Sequence, residues 1–287
     1  MLSHTQNYIN RREVVANLIR FVDFGRANLV LEIGPGKGSI TDGLLPRSKR
    51  IIAIEADDDL HEYLKGKYRG IDRKKMMVIH GDFLRYPLPS EPFIVVSNIP
   101  FNITADIIRK ITSEDSMLQV AYLIVQKEAA IKFLGAPHAH SPLFSHLLNI
   151  HYTIKKLIDI SKENYTPRPR YDTALISIER RAKPILAGLE LMQFKDFLTH
   201  VFGCNKRTIK IALKTVMSNL QVKIILANLN LSESAEVKRV MFADWISIFK
   251  TFTDQAPERS FEKIHGSYKN LLVEQKGLKK KHRTRVD

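Results

Sequence analysis

The chain has 287 residues, with 45 Lys and Arg against 30 Asp and Glu, a formal net charge of 45 − 30 = +15. A hydrophobic share of 44% suffices for one large core or two ordinary ones and excludes a mainly disordered chain, a collagen or a disulfide scaffold. One cysteine, Cys204, permits no internal disulfide, the first residues show no apolar leader, and no apolar run reaches the ~18 residues of a membrane span. These features predict a cytoplasmic protein without a membrane anchor. The excess of base points to an anionic partner, nucleic acid before others.

Taken in chain order, short apolar runs come first at Leu29–Ile33, Ile51–Ile54, Met76–Ile79, Phe93–Val96 and Val120–Val125. Each suits a strand buried on both faces. Helix-compatible stretches such as Ser39–Leu45 and Asp58–Lys67 lie between them. The rhythm is that of βαβ units and predicts an α/β fold with a mainly parallel sheet, Rossmann-like in class. Thr173–Ile178 reads as a last strand. Beyond Arg181 the spacing becomes helical, over Leu189–Phe202, Asn205–Met217 and Phe242–Phe252, and no further strand is expected. Ala182-Lys183-Pro184 reads as a linker. The expected organisation is a catalytic domain over 1–181, a small all-helical domain over 182–253 and a basic, flexible tail over 254–287. Residues 1–180 carry 25 − 20 = +5, and residues 181–287 carry 20 − 10 = +10. The tail could hold phosphates through counterion release.

Four motifs carry the chemistry. The first strand ends in Glu32-Ile33-Gly34-Pro35-Gly36-Lys37-Gly38, where Gly34 and Gly36 let a ligand approach the backbone in front of a helix. The third glycine is one position short of the dinucleotide fingerprint, since Ser39 stands where it would be needed, so a nicotinamide enzyme is disfavoured. The second strand ends in Glu55, an acceptor for both hydroxyls of a ribose. Gly81-Asp82-Phe83 follows the third run, with Asp82 suited to an adenine amino group and Phe83 to a place near its ring. The fourth run ends in Ser97-Asn98-Ile99-Pro100-Phe101. There the Asn98 amide oxygen and a turn carbonyl can accept from an exocyclic amine, Pro100 stiffens the turn, and Phe101 offers a flat face for a base.

In that order, these residues resemble the S-adenosylmethionine-dependent rRNA adenine N6-dimethyltransferases, which include the Erm macrolide-resistance enzymes and the KsgA-type small-subunit enzymes. Gln6-Asn7-Tyr8-Ile9 is similar to the family's Q-N-F-I motif, and Asn164–Asp172 to its F-x-P-x-P-x-V-x segment. Tyr8, Tyr165 and Tyr171 replace the usual Phe, Phe and Val. The N-I-P-F form and the segment Lys206–Phe252, with its lone Trp245, look closer to Erm than to the small-subunit enzymes, which usually have N-L-P-Y.

The resemblance implies S-adenosylmethionine as cofactor, lined by Asn7, Ile9, Gly34, Gly36, Glu55, Asp82 and Asn98. It implies that Asn98 and the Pro100 carbonyl accept from the target amine, while Phe101 and Tyr165 hold the flipped base. Arg109, Lys110, Arg168, Arg170, Lys206, Arg207, Lys210 and Lys214 are the expected RNA contacts, in a cleft between the two domains. The expected substrate is 23S rRNA or a precursor ribosomal particle, and the expected outcome is resistance to macrolide, lincosamide and streptogramin B antibiotics. A maturation enzyme for 16S-type rRNA and a non-catalytic RNA-binding factor are the alternatives. A monomer without metal is expected: His138, His140, His146 and His151 lack acidic or thiol companions at ligand spacing, and Asp57-Asp58-Asp59 reads as a helix start.

Overall fold

A computed structural model describes residues 8–9, 11–135 and 142–282. The first part of the chain forms β1 (Tyr8–Ile9), α1 (Arg12–Arg20), β2 (Leu29–Ile33), α2 (Ser39–Leu44), β3 (Arg50–Glu55), α3 (Asp58–Lys67) and β4 (Met76–His80). Next come β5 (Phe93–Asn98), α4 (Thr104–Ile111), β6 (Leu118–Gln126), α5 (Lys127–Leu134) and α6 (Leu143–His151). The strands β7 (Tyr152–Ile160), β8 (Tyr165–Thr166) and β9 (Thr173–Arg180) follow. The remaining helices are α7 (Gly188–Gly203), α8 (Ile209–Leu213), α9 (Asn219–Asn228), α10 (Phe242–Gln255), α11 (Glu258–Ile264) and α12 (Ser267–His282).

Seven strands form one sheet in the order β4-β3-β2-β5-β6-β9-β7. The first five are parallel, and β9 runs antiparallel to both neighbours. The expected Rossmann-like α/β sheet is thus present. All five residues of β2 are buried, as a strand covered by helices on both faces requires. Strand order reverses between β2 and β5, the position at which open α/β sheets hold ligands outside their carboxyl ends. β1 pairs with β8 in a separate ribbon, Ile9 opposite Tyr165.

The strand β7 has no counterpart among the predicted runs. It is an edge strand, Lys155 and Lys156 are both exposed, and its register shifts between Lys156 and Ile158. Edge strands use such charges and bulges to discourage further pairing, and the same devices erase the apolar signature.

The chain divides into two compact units, residues 1–131 with 152–182 and residues 132–151 with 183–287. In the first, Val15, Leu18 and Ile19 of α1 pack with Ile40 and Leu44 of α2 against the sheet. In the second, Phe194, Phe197, Trp245, Phe249 and Phe252 are fully buried, with Phe197 and Phe252 ring centres 4.9 Å apart. The segment 132–151, expected in the catalytic domain, supplies α6 to this helical core through Ile150.

Two helical expectations differ from the structure. Asn205–Met217 holds only the five-residue α8, because Arg207 and Thr208 are drawn into extended pairing: Val237 N donates to Arg207 O, and Thr208 bridges to Glu236. Residues 254–282, expected to trail as a tail, carry α11 and α12. Ile264 is buried in the helical core, Phe261 packs on it, and the Asp196 carboxylate accepts from Gly266 N and Tyr268 N, each at 2.9 Å. The last residues of the basic run, 283–287, lie outside the described residues. Among the described residues, no helix is long and apolar enough to cross a membrane.

Candidate active site

The turn after β2 places Gly34, Gly36 and Gly38 at φ of 63°, 59° and 77°. Glu55, fully buried at the end of the neighbouring β3, reaches this turn. Its Oε2 accepts from Gly36 N at 3.0 Å, and its Oε1 accepts from Ala56 N and Asp57 N at 2.9 and 3.1 Å. Asp57 then caps α3 by accepting from Leu60 N, so the acidic triplet does start a helix. Asp82 follows β4, where its Oδ1 accepts from Leu84 N at 2.8 Å and its side chain stays half-exposed.

β5 brings Asn98 beside the turn. The ladder between β2 and β5 ends at Leu31–Val95, and beyond it a side chain takes over. Ser97 Oγ donates to Ile33 O at 2.5 Å and accepts from Ile33 N at 3.3 Å. The strands therefore part at their carboxyl ends while remaining tied. The recess so opened is lined by Tyr8, Ile9, Glu32, Gly34, Ser39 and Asn98, among others, and the Asn98 side-chain oxygen is buried there. Pro100 sits at φ −59°, and its carbonyl accepts from Ile103 N at 3.3 Å in a short 3-10 turn that begins at Phe101. Ser97→Ala should cost about 1–3 kcal/mol, because it strands a buried N–H and C=O of Ile33. Denaturant unfolding measures it, and an unchanged midpoint would show that the tie is dispensable.

Two lining residues, Glu32 and Tyr8, and Ser97 beside the recess had no assigned role in the sequence. Glu32 is 1% exposed, takes a 2.7 Å hydrogen bond from Thr41 Oγ1, and has its pKa pushed up to about 8 by burial. Its signal was present, as an acid inside a wholly apolar strand. Tyr8 lies under the Lys37 ammonium, 6.0 Å from the ring centre, and its phenol is raised by burial and by the Glu55 and Asp57 charges. Ser97 was legible only as part of a run. Asn7 lies outside the described residues, as do His138 and His140.

Tyr165 is placed differently from Phe101. It is 4% exposed, packed with Ile9 in the core, with its hydroxyl 2.6 Å from Thr173 Oγ1 and its pKa pushed up to about 12 by burial. In this conformation Phe101 is the aromatic with surface to offer. Phe83, expected near a ring of the ligand, is also buried.

Several of the expected RNA contacts are engaged locally. Lys110 turns inward: its Nζ donates to Phe83 O at 2.7 Å and to Tyr86 O, over the Phe83 ring, and burial lowers its pKa. Arg109 pairs with Asp106 at 3.2 Å and Arg168 with Glu163 at 2.5 Å. Arg170 lies 5.4 Å from the centre of the exposed Tyr171 ring. Arg207 pairs with Glu236 at 2.9 Å, Lys210 pairs with Glu233, and Lys206 and Lys214 are exposed. With α8 so short, these four do not share one helical face.

The donor set fits S-adenosylmethionine. Glu55 and Asp82 offer carboxylate oxygens at the ends of adjacent strands, the acceptor chemistry that ribose hydroxyls and an adenine amine require. The buried acid Glu32 lines the same recess, and a cation placed there would draw its raised pKa back down. A Cβ built on Gly34 would meet nothing nearer than Pro100 Cδ at 4.0 Å, so the turn leaves backbone open beside the N-I-P-F loop.

The family model described as ribosomal RNA adenine dimethylase matches residues 2–254. The Ribosomal RNA small subunit methyltransferase A of Mycoplasma mobile is 30% identical over 79% of this chain and 88% of its own length. An rRNA adenine N-6-methyltransferase of Bacillus licheniformis is 25% identical over 86% and 85%. Among solved structures, the 23S rRNA methyltransferase ErmE superposes with a TM-score of 0.79 at 25% identity, covering 87% of this chain and all of that one.

Proposed function

Since the chain belongs to the ribosomal RNA adenine dimethylase family and is an S-adenosylmethionine-dependent rRNA adenine N6-methyltransferase, we propose that its substrate is one adenine of 23S rRNA. Resistance to macrolide, lincosamide and streptogramin B antibiotics is the consequence proposed. The observation that carries the large-subunit reading is the likeness to the 23S rRNA methyltransferase ErmE over its full length, and the N-I-P-F motif agrees with it. The 30% identity to a small-subunit methyltransferase favours the rival, dimethylation of small-subunit rRNA during maturation. We propose further that the sheet unit carries the chemistry, that the basic helical half holds rRNA, and that the enzyme works as a cytoplasmic monomer.

The amine at adenine N6 is a poor nucleophile because its lone pair is delocalised into the ring. The Asn98 amide oxygen and the Pro100 carbonyl accept its two hydrogens and favour a pyramidal nitrogen. The Pro100 carbonyl accepts from Ile103 N at 3.3 Å and from Thr104 Oγ1 at a long 3.5 Å; the Thr104 hydroxyl has a shorter bond to Phe101 O at 3.1 Å, so it can yield the second lone pair to the target amine. The cofactor supplies an electrophilic methyl group. Alignment then matters more than proton abstraction, and the proton leaves to water after transfer. The target base must leave its stack, and Phe101 receives it, a contact worth about 1–3 kcal/mol. Tyr165 can serve as the second face only if the β1–β8 ribbon shifts.

Primer extension on rRNA from cells expressing the protein tests this reading. A stop in the peptidyl-transferase region of 23S rRNA, with raised erythromycin tolerance, is the expected result. A stop near the 3′ end of the small-subunit RNA selects the rival.

A further inference from the structure

We propose that Lys67 and Tyr68, at the end of α3, are positioning residues that hold the glycine turn in its cofactor-binding shape and so set S-adenosylmethionine affinity. The inference rests on the reading of that turn as the cofactor site. Neither residue lines the recess. Both act from behind, through the first turn of α2.

A turn built of glycines has few side chains with which to fix its own shape, so its backbone must be held from outside. On one side Glu55 Oε2 accepts from Gly36 N. On the other, Lys67 Nζ donates to Lys37 O at 3.0 Å and to Asp42 Oδ2 at 2.7 Å. The Tyr68 hydroxyl donates to Asp42 Oδ1 at 2.8 Å, with Gly38 O at 3.2 Å as a second acceptor. Asp42 is thus gripped at both carboxylate oxygens, and the last two carbonyls of the turn are each approached by one donor from α3. The fit is close. A Cβ at Gly38 would lie 2.2 Å from the Tyr68 oxygen and 3.1 Å from Leu64 Cδ2, and φ there is +77°. The turn is moulded against a phenol that burial and the Asp42 carboxylate keep protonated. Tyr68 is itself 7% exposed within the core, so the brace is anchored.

The consequence is one of preorganisation. A loop already in its bound shape costs the ligand no ordering entropy, whereas a loosened loop must be ordered from binding energy. Removing the donors should therefore weaken cofactor binding and leave the rRNA surface and the reacting groups alone.

Tyr68→Phe, Lys67→Met and the double variant test this in the full chain, by calorimetry with S-adenosylmethionine and by methylation kinetics on rRNA. Each single change should weaken cofactor affinity about tenfold, with KM for the cofactor rising in step and kcat changing much less. Lys67→Arg, which keeps the charge and the donors, should stay within about threefold of the parent protein. Cofactor affinity unchanged beside a lowered thermal midpoint would overturn the proposal, because the brace would then be structural only. A fall in kcat at constant KM would overturn it as well. Lys67 is partly exposed, so its variants keep the test open if Tyr68→Phe unfolds. If the parent protein itself fails to bind S-adenosylmethionine, the cofactor reading of the turn fails, and this proposal, which rests on it, is overturned with it.

Discussion

Asn98→Ala is expected to lower methyl transfer by about 10²–10³-fold or more while the protein stays folded. The residue ends β5, and its side-chain oxygen is buried in the recess beside the glycine turn. A buried acceptor fixed before the substrate arrives costs nothing to reorient during the reaction, which is why removing one is so damaging. Alanine fits the same extended backbone and leaves the tie between β2 and β5 intact, because Ser97 makes that tie. Loss of activity would therefore not report loss of fold. Asn98→Asp separates acceptor from amide: it keeps the oxygen, adds charge and should retain more activity than the alanine variant. Single-turnover methylation of rRNA with labelled cofactor measures both, and circular dichroism checks the fold. Near-normal transfer by Asn98→Ala would sink the role given to this residue, whichever ribosomal subunit is the substrate.

The parts of this molecule that were legible in sequence are those where one physical demand dominates. Strands β2, β3, β5 and β6 are buried on both faces and must be apolar, so their runs stand out, and the motifs at their ends follow. Asn98, Glu55 and Asp82 occupy the ends of β5 and β3 and the turn after β4, where the sheet opens. Residues serving two demands were hidden. Lys110 reads as a surface charge, yet its ammonium satisfies two backbone carbonyls over a phenyl ring. Tyr165 reads as one face for the flipped base, and its burial in the β1–β8 ribbon, with its hydroxyl on Thr173, was not legible. The stretch after residue 253 reads as solvated by its charge, although Ile264 is buried in the helical core and Phe261 packs on it. The brace from α3 was invisible for a further reason. It links residues 25 to 30 positions apart through groups that no motif names.

The helical unit should lose stability as pH falls from 6.5 toward 4, and His146 is the cause. Its ring is 2% exposed, among Phe202, Phe242 and Trp245 at centroid distances of 5.6, 6.4 and 6.3 Å. Burial pushes its pKa down to about 4 from the ordinary 6.5. Among the described residues, neither His146 Nε2 nor the neighbouring Trp245 Nε1 has a hydrogen-bond partner, so nothing in this pocket welcomes a charge. Above pH 6.5 the imidazole is neutral in both folded and unfolded chains and contributes no pH dependence. Below 6.5 the unfolded chain takes up a proton that the folded unit refuses, so stability falls until the folded ring also titrates near 4. The full window is worth up to about 3 kcal/mol, since each pKa unit is about 1.4 kcal/mol. The chain's single tryptophan, Trp245, makes this measurable in the helical unit alone. Urea unfolding followed by its fluorescence at pH 7 and at pH 4.5 should show a drop for the parent protein that is larger than for His146→Phe. The difference between the two proteins isolates this residue from the carboxylates that titrate in the same range. Equal drops would mean that the buried imidazole is protonated at no cost and would overturn the prediction.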